Sequence, residues 1–203
     1  MNILVLDNYD SFTFNLVQYI QEILGTAVDV FRNDAISLDE VEAYDVIVLS
    51  PGPGIPSEAG IMPELIQRFA PSKTILGVCL GHQAIGEAFG AKIENLKTVF
   101  HGVETPIATT DVDEPMFEGL PQPFQAGRYH SWVVREDTLP ADLLVTARDT
   151  AGAIMAIKHK IYNVRGVQFH PESIMTTEGK QMLRNFFVHY AGVPTSDLVL
   201  AEA

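Results

Sequence analysis

The chain has 203 residues, 47% of them hydrophobic, and 13 Lys and Arg against 26 Asp and Glu give a formal net charge of −13. That length fits one globular domain of about 100–200 residues, and the acidity argues against nucleic acid or anionic membrane as partners, because both draw their affinity from basic residues. A single cysteine, Cys79, excludes an intrachain disulfide framework and a cysteine-based zinc site.

In chain order, Met1-Asn2 runs directly into the strand-like Ile3-Leu4-Val5-Leu6, which has no basic flank and is too short for a signal-peptide core. No apolar run approaches the ~18–20 residues that span a bilayer, so the expected location is the cytoplasm. Phe12, Leu16, Ile20, Ile23 and Leu24 then fall at helical spacing behind a candidate Ser11 cap. Strands are predicted at Ala27–Phe31, Val46–Leu49 and Thr74–Val78, with a helix over Ile61–Phe69 and another starting just after Cys79 and stopping at Gly90. This alternation is the pattern of βαβ units and a mainly parallel sheet flanked by helices, an α/β fold.

From about Ile93 the texture changes to closely spaced strand signals at Val99–Val103, Phe124–Tyr129, Leu143–Arg148, Ala153–Lys158 and Tyr162–Phe169, read as an antiparallel extension of the sheet. A last helix over Glu178–Tyr190 places Met182, Leu183, Phe186, Phe187 and Tyr190 on one face. The domain is expected to span 1–194, followed by a frayed tail over 195–203.

Chemistry concentrates at a few points. Gly77-Val78-Cys79-Leu80-Gly81 sits between an apolar strand and a helix, with glycines two residues on either side of the sulfur. Such a strand–turn–helix elbow exposes a nucleophile above the sheet edge, and the helix N-terminus favours thiolate. A buried packing cysteine is the alternative, but it would need neither glycine. A cysteine nucleophile needs a base, and His170 ends an apolar strand with Glu172 two positions on. In extended backbone those side chains share a face, so the carboxylate can hold the imidazole tautomer. His82 is expected to point around its helix and not back at the sulfur, and His189 to lie at the surface. No two histidines have ligand spacing, so no metal site is expected.

Ser50-Pro51-Gly52-Pro53-Gly54 lacks the third glycine of a phosphate loop, and its prolines remove N–H donors. It reads either as a plain loop or as a stiff turn whose Gly52 N–H, with that of Leu80, forms an oxyanion hole. Arg128-Tyr129-His130-Ser131-Trp132 is a candidate specificity segment.

Together with Leu6-Asp7-Asn8-Tyr9-Asp10-Ser11-Phe12-Thr13, Gly77 to Gln83 and Gly166 to Ser173, these segments make the chain resemble the class I (triad) glutamine amidotransferases, and within them the glutaminase subunits of chorismate-aminating synthases. The resemblance implies a cysteine nucleophile at Cys79, a proton carrier at His170 oriented by Glu172, and an oxyanion hole from the Gly52 and Leu80 N–H groups. It further implies that Gly52, Pro53, Gly54, Gln83, Ser131 and Trp132 hold L-glutamine. The ammonia released would pass to a chorismate-using synthase large subunit, anthranilate-forming in the first reading and aminodeoxychorismate-forming in the alternative. Chorismate and its magnesium would belong to that partner, with no cofactor in this chain. A free-standing γ-glutamyl cysteine hydrolase and a non-catalytic docking module are the remaining readings. Val103 and Glu104 stand where many relatives carry Lys after His101-Gly102, and Trp132 where Leu is frequent.

Overall fold

The computed structural model describes residues 1–199. In chain order it comprises β1 (Ile3–Asp7), α1 (Thr13–Leu24), β2 (Asp29–Arg32), α2 (Leu38–Val41), β3 (Val46–Leu49), α3 (Met62–Phe69), β4 (Thr74–Val78) and α4 (Leu80–Ala88). There follow β5 (Ile93–Asn95), β6 (Val103–Thr109), β7 (Phe124–Arg128), β8 (Trp132–Val134), β9 (Leu143–Asp149), β10 (Ile154–His159), β11 (Val164–Val167) and α5 (Gly179–His189). A nine-stranded sheet runs in the order β2-β1-β3-β4-β11-β10-β9-β6-β7, and β5 pairs with β8 in a separate two-stranded sheet.

The five strands from β2 to β11 are parallel, and the four beyond them are joined by antiparallel pairing. The central strands β3, β4 and β11 are buried along their whole length, which is why they read as unbroken apolar runs and not as alternating ones. Successive residues face opposite layers: Ile3, Val5, Val46 and Val48 pack with Leu16 and Ile20 of α1 and Phe186 and Phe187 of α5. Leu4, Leu6, Ile47 and Leu49 pack with Leu65 and Ile66 of α3 and Ile85 of α4.

Because β1 has β2 on one side and β3 on the other, the connections leaving β1 and β3 part company at their carboxyl ends. Open α/β sheets bind ligands in the crevice at such a point. Here the residues just beyond β1, β3, β4 and β11 are Asn8, Ser50, Cys79 and Gln168.

Several expectations are corrected. Ser11 does not cap α1; instead Asp10 Oδ1 accepts the Phe12 N–H at 2.8 Å, and Thr13 Oγ1 donates to Asp7 Oδ1 at 2.9 Å. No strand covers 99–102; β6 begins at Val103 and runs on through Glu104, Thr105 and Pro106, whose polarity hides it from a search for apolar runs. The three-residue β5 and β8 were also missed. The tail does not fray over 195–199: Leu198 is buried against the α1 layer, and the Val199 N–H donates to Ile23 O at 2.9 Å. The rest of that tail, 200–203, lies outside the described residues. Among the described residues, no helix is long and apolar enough to cross a membrane.

Candidate active site

The elbow forms because α4 starts with no intervening residue beyond Cys79. Cys79 has φ +52° and ψ −96°, outside the regions open to most L-residues, a conformation that costs on the order of 1–3 kcal/mol. It is held from both sides, its N–H donating to Val167 O at 2.8 Å and its carbonyl accepting the Gln83 N–H at 3.1 Å. A Cβ at position 77 would lie 2.5 Å from the Gly81 backbone, and one at position 81 would lie 2.7 Å from the Leu49 backbone oxygen. The two glycines flanking the sulfur are therefore demanded by close packing of strand against helix.

His170 follows β11 across the sheet from this elbow, and its N–H donates to Gly127 O at 3.0 Å. Its Nδ1 meets Glu172 Oε1 at 2.7 Å, and both side chains are buried. The spacing works for a different reason from the extended pairing expected: residues 170–173 form a turn in which the Ser173 N–H bonds to His170 O at 3.2 Å. Nε2, the other ring nitrogen, is buried without a well-aligned hydrogen-bond partner. Phe12 and Tyr129 wall the imidazole edge-on, at 5.3 and 4.9 Å between ring centres. Burial opposes protonation of His170, but the Glu172 carboxylate and then the Cys79 sulfur outweigh it and hold the pKa well above the ordinary histidine value.

The Gly52 turn is fastened to the end of β1. Asn8 donates from its backbone to Ser50 Oγ and from its side chain to Ser50 O, both at 2.8 Å. A Cβ at position 52 would sit 2.6 Å from Asn8 Cβ, 2.7 Å from Asn8 O and 2.8 Å from Leu80 Cδ2, so this turn approaches the start of α4 as only glycine allows. Gly52, Pro53, Gly54, Cys79, Gln83, Tyr129, His130, Ser131 and Trp132 line one cavity of about 150 Å³. Drug-sized sites run to about 300–1,000 Å³, so this one suits a ligand of amino-acid size. A larger hollow bounded by residues 109–122 is lined by neither cysteine nor histidine.

Three further residues of this region, Gln168, His130 and Arg128, stand in segments singled out in the sequence but carry no individual role there. Gln168 is fully buried, accepts the Gln83 Nε2 hydrogen at Oε1 (3.2 Å) and donates from Nε2 to Cys79 Sγ at 3.6 Å. Gln83 Nε2 also donates to Trp132 O at 2.9 Å, and His130 Nδ1 reaches that same carbonyl at 2.9 Å. Behind them Arg128 donates from Nε to His130 Nε2 at 3.1 Å, pairs with Asp149 at 2.6 Å and stacks on Phe100 at 3.7 Å. Burial, then the neighbouring Arg128 charge, lowers the His130 pKa to about 3, so its ring is neutral at ordinary pH.

His82 is fully buried against Gly166, where burial lowers its pKa to about 4. His189 lies partly exposed beside Glu118 at 3.1 Å. Among the described residues, no cluster of acids, histidines or cysteine is arranged to hold a metal ion.

An elbow cysteine thus faces a His–Glu pair on the carboxyl edge of a parallel sheet, and residues 4–190 match the family model described as glutamine amidotransferase class-I. The chain belongs to that family and is a glutamine amidotransferase. It is 50% identical to "Aminodeoxychorismate/anthranilate synthase component 2" of Bacillus subtilis, over 93% of this chain and 96% of that one. It is 48% identical to "Anthranilate synthase component 2" of Pseudomonas aeruginosa, over 94% and 97% of the two chains. Among solved structures, a Thermoplasma acidophilum chain ascribed to GMP synthase superposes with a TM-score of 0.83 at 28% identity, covering 95% of this chain and 94% of that one.

Proposed function

We propose that this chain is the glutaminase subunit of a chorismate-using synthase, hydrolysing L-glutamine and passing the ammonia to a large subunit. The observation that carries the reading is that Cys79 and the Gly52 turn line one amino-acid-sized cavity, with the buried His170–Glu172 pair interacting with the Cys79 sulfur. Cys79 Sγ attacks the side-chain amide carbon, and the carbonyl oxygen takes up negative charge facing the Gly52 and Leu80 N–H groups. His170 carries the thiol proton from Nε2 to the leaving nitrogen, so ammonia departs as the C–N bond breaks and a thioester remains. Glu172, bound to Nδ1, keeps Nε2 directed at the reaction. Water then gives a proton to His170 and attacks the thioester; glutamate leaves and the thiol is restored.

Gly52, Pro53, Gly54, Gln83, Ser131 and Trp132 hold glutamine in this reading. Chorismate and its magnesium lie with the partner, no cofactor is assigned to this chain, and the complex works in the cytoplasm. An anthranilate-forming synthase is the first choice of partner. The double name of the B. subtilis relative favours an aminodeoxychorismate-forming one as the second.

The test is to purify the complex with the large subunit of the same organism, then to identify the product made from chorismate and glutamine. Cys79→Ala is expected to abolish synthesis from glutamine and leave synthesis from ammonia within about twofold, because it removes the nucleophile alone. An equal fall with both nitrogen sources would overturn the division of labour.

A further inference from the structure

The sulfur of Cys79 is met by a side chain outside the triad. Gln168 Nε2 lies 3.6 Å from Sγ, within the range of a long N–H···S bond, in a fully buried position two residues before His170. An amide can present either its oxygen or its NH2 to a sulfur, and the surrounding bonds decide which. The Trp132 carbonyl can only accept, and it faces Gln83 Nε2 at 2.9 Å. Gln83 therefore turns its NH2 inward, and its second N–H goes to Gln168 Oε1 at 3.2 Å. With its oxygen so engaged, Gln168 is left with its NH2 toward the sulfur.

The far end of the chain has the same polarity. The Arg128 guanidinium can only donate, so His130 Nε2 must accept its Nε hydrogen, and Nδ1 then carries the ring proton that reaches Trp132 O at 2.9 Å. The buried Asp149 carboxylate holds Arg128 in place. From Arg128 to the sulfur, each orientation is imposed by a group that has no alternative.

We infer that Gln168 is a catalytic hydrogen-bond donor to the Cys79 sulfur, stabilising the thiolate before attack and held in that orientation by Gln83, the Trp132 carbonyl, His130 and Arg128. The role rests on the glutaminase reading, in which this sulfur is the reacting atom. Negative charge sits on the sulfur before acylation and returns to it when water breaks the S–C bond, and the same N–H serves both moments. In the thioester between them the sulfur is a poor acceptor, so the bond strengthens where charge develops. The charged and titratable groups around this cluster are His170 and Glu172 beyond β11, His82 on α4, Arg128 at the end of β7 with Tyr129 and His130 just after it, and Asp149 on β9 against Arg128. A neutral substitution at position 168 replaces none of them.

Because Cys79 is the only cysteine, iodoacetamide alkylation and the ultraviolet absorbance of the thiolate report on it alone. In Gln168→Met, which keeps side-chain length and loses the donor, the midpoint of the alkylation pH profile should rise by about one unit. In the complex kcat should fall about tenfold with KM within about twofold, the pattern of an interaction that strengthens at the transition state. Gln168→Glu, which sets an acceptor against the sulfur, should move the midpoint further and gives a second reading if the methionine variant folds poorly. A Gln168→Met protein that melts like wild type and keeps the wild-type midpoint would overturn the role. Alkylation needs no glutamine, so that result leaves the glutaminase reading standing. Conversely, a wild-type complex without glutamine turnover would sink that reading while the midpoint shift still reports on Gln168.

Discussion

The parallel half of the sheet and its antiparallel extension build their parts of the site in different ways. In the parallel half, Cys79 and Gly52 are placed by backbone: a strand running into a helix, two glycines under steric demand, and a turn tied to Asn8. In the extension, the cavity wall at His130–Trp132 is placed by buried side-chain bonds reaching back through Arg128 to Asp149. One half positions through shape and the other through charge and polarity, so the two should fail differently when altered.

The largest effect is expected in the extension. Arg128 and Asp149 are almost fully buried, with side-chain exposures of 1% and 5%, and removing one member of such a pair costs about 3–5 kcal/mol. Arg128→Met should lose stability on that scale in denaturant unfolding, and Asp149→Asn added to it should narrow the deficit. A variant as stable as wild type would break the contrast between the halves.

Next comes Gly52→Ala. The atoms its Cβ would meet include backbone that cannot swing aside, so the turn must move and carry its N–H out of line. Loss of one oxyanion donor lowers kcat by about 10²–10³, and the alkylation rate of Cys79 should hardly change. An unaltered kcat would remove Gly52 from the oxyanion hole.

The smallest effect is in pH dependence, where His82 and His130, one from each half, act together against His170. His82 and His130 have folded-state values of about 4 and about 3, so below the ordinary value of ~6.5 the unfolded chain takes up protons that the fold refuses. Stability should then fall with acidification by at most about 1.4 kcal/mol per pH unit for each. His170 has the opposite sign: its contribution is complete below pH ~6.5 and is lost as pH rises through its raised value. Denaturation at several pH values should therefore show stability declining on both sides of about 6.5, with a shallower acid limb in His82→Leu. An acid limb unchanged by that substitution would show that His82 is protonated in the folded state.

The contrast also explains how much could be read from the sequence. The elbow was legible because an apolar strand, flanking glycines and a helix are contiguous, and so was the Gly52 turn. His170 and Glu172 were paired correctly from their spacing, although a turn and not a strand brings them together. Gln168 and Arg128 stood in segments already singled out, yet their partners were invisible. The Gln83–Gln168 bond joins residues 85 apart, and nothing local selects one buried amide for another. The extension was legible as strands but not in register: β6 hides behind polar residues, and β5 and β8 are too short to show a period. Leu198 looked like part of a frayed tail because its apolar site is built by α1, far away in the chain.

The backbone at Cys79 has one more consequence. A left-handed, non-glycine residue at the head of α4 works against the fold, and its neighbours on both sides must restrain it. Glycine there would lift the steric penalty and leave an inert protein whose resting state is the more robust of the two. The reactive thiol is thus retained against a standing thermodynamic bias, and robustness and reactivity are traded at a single φ angle.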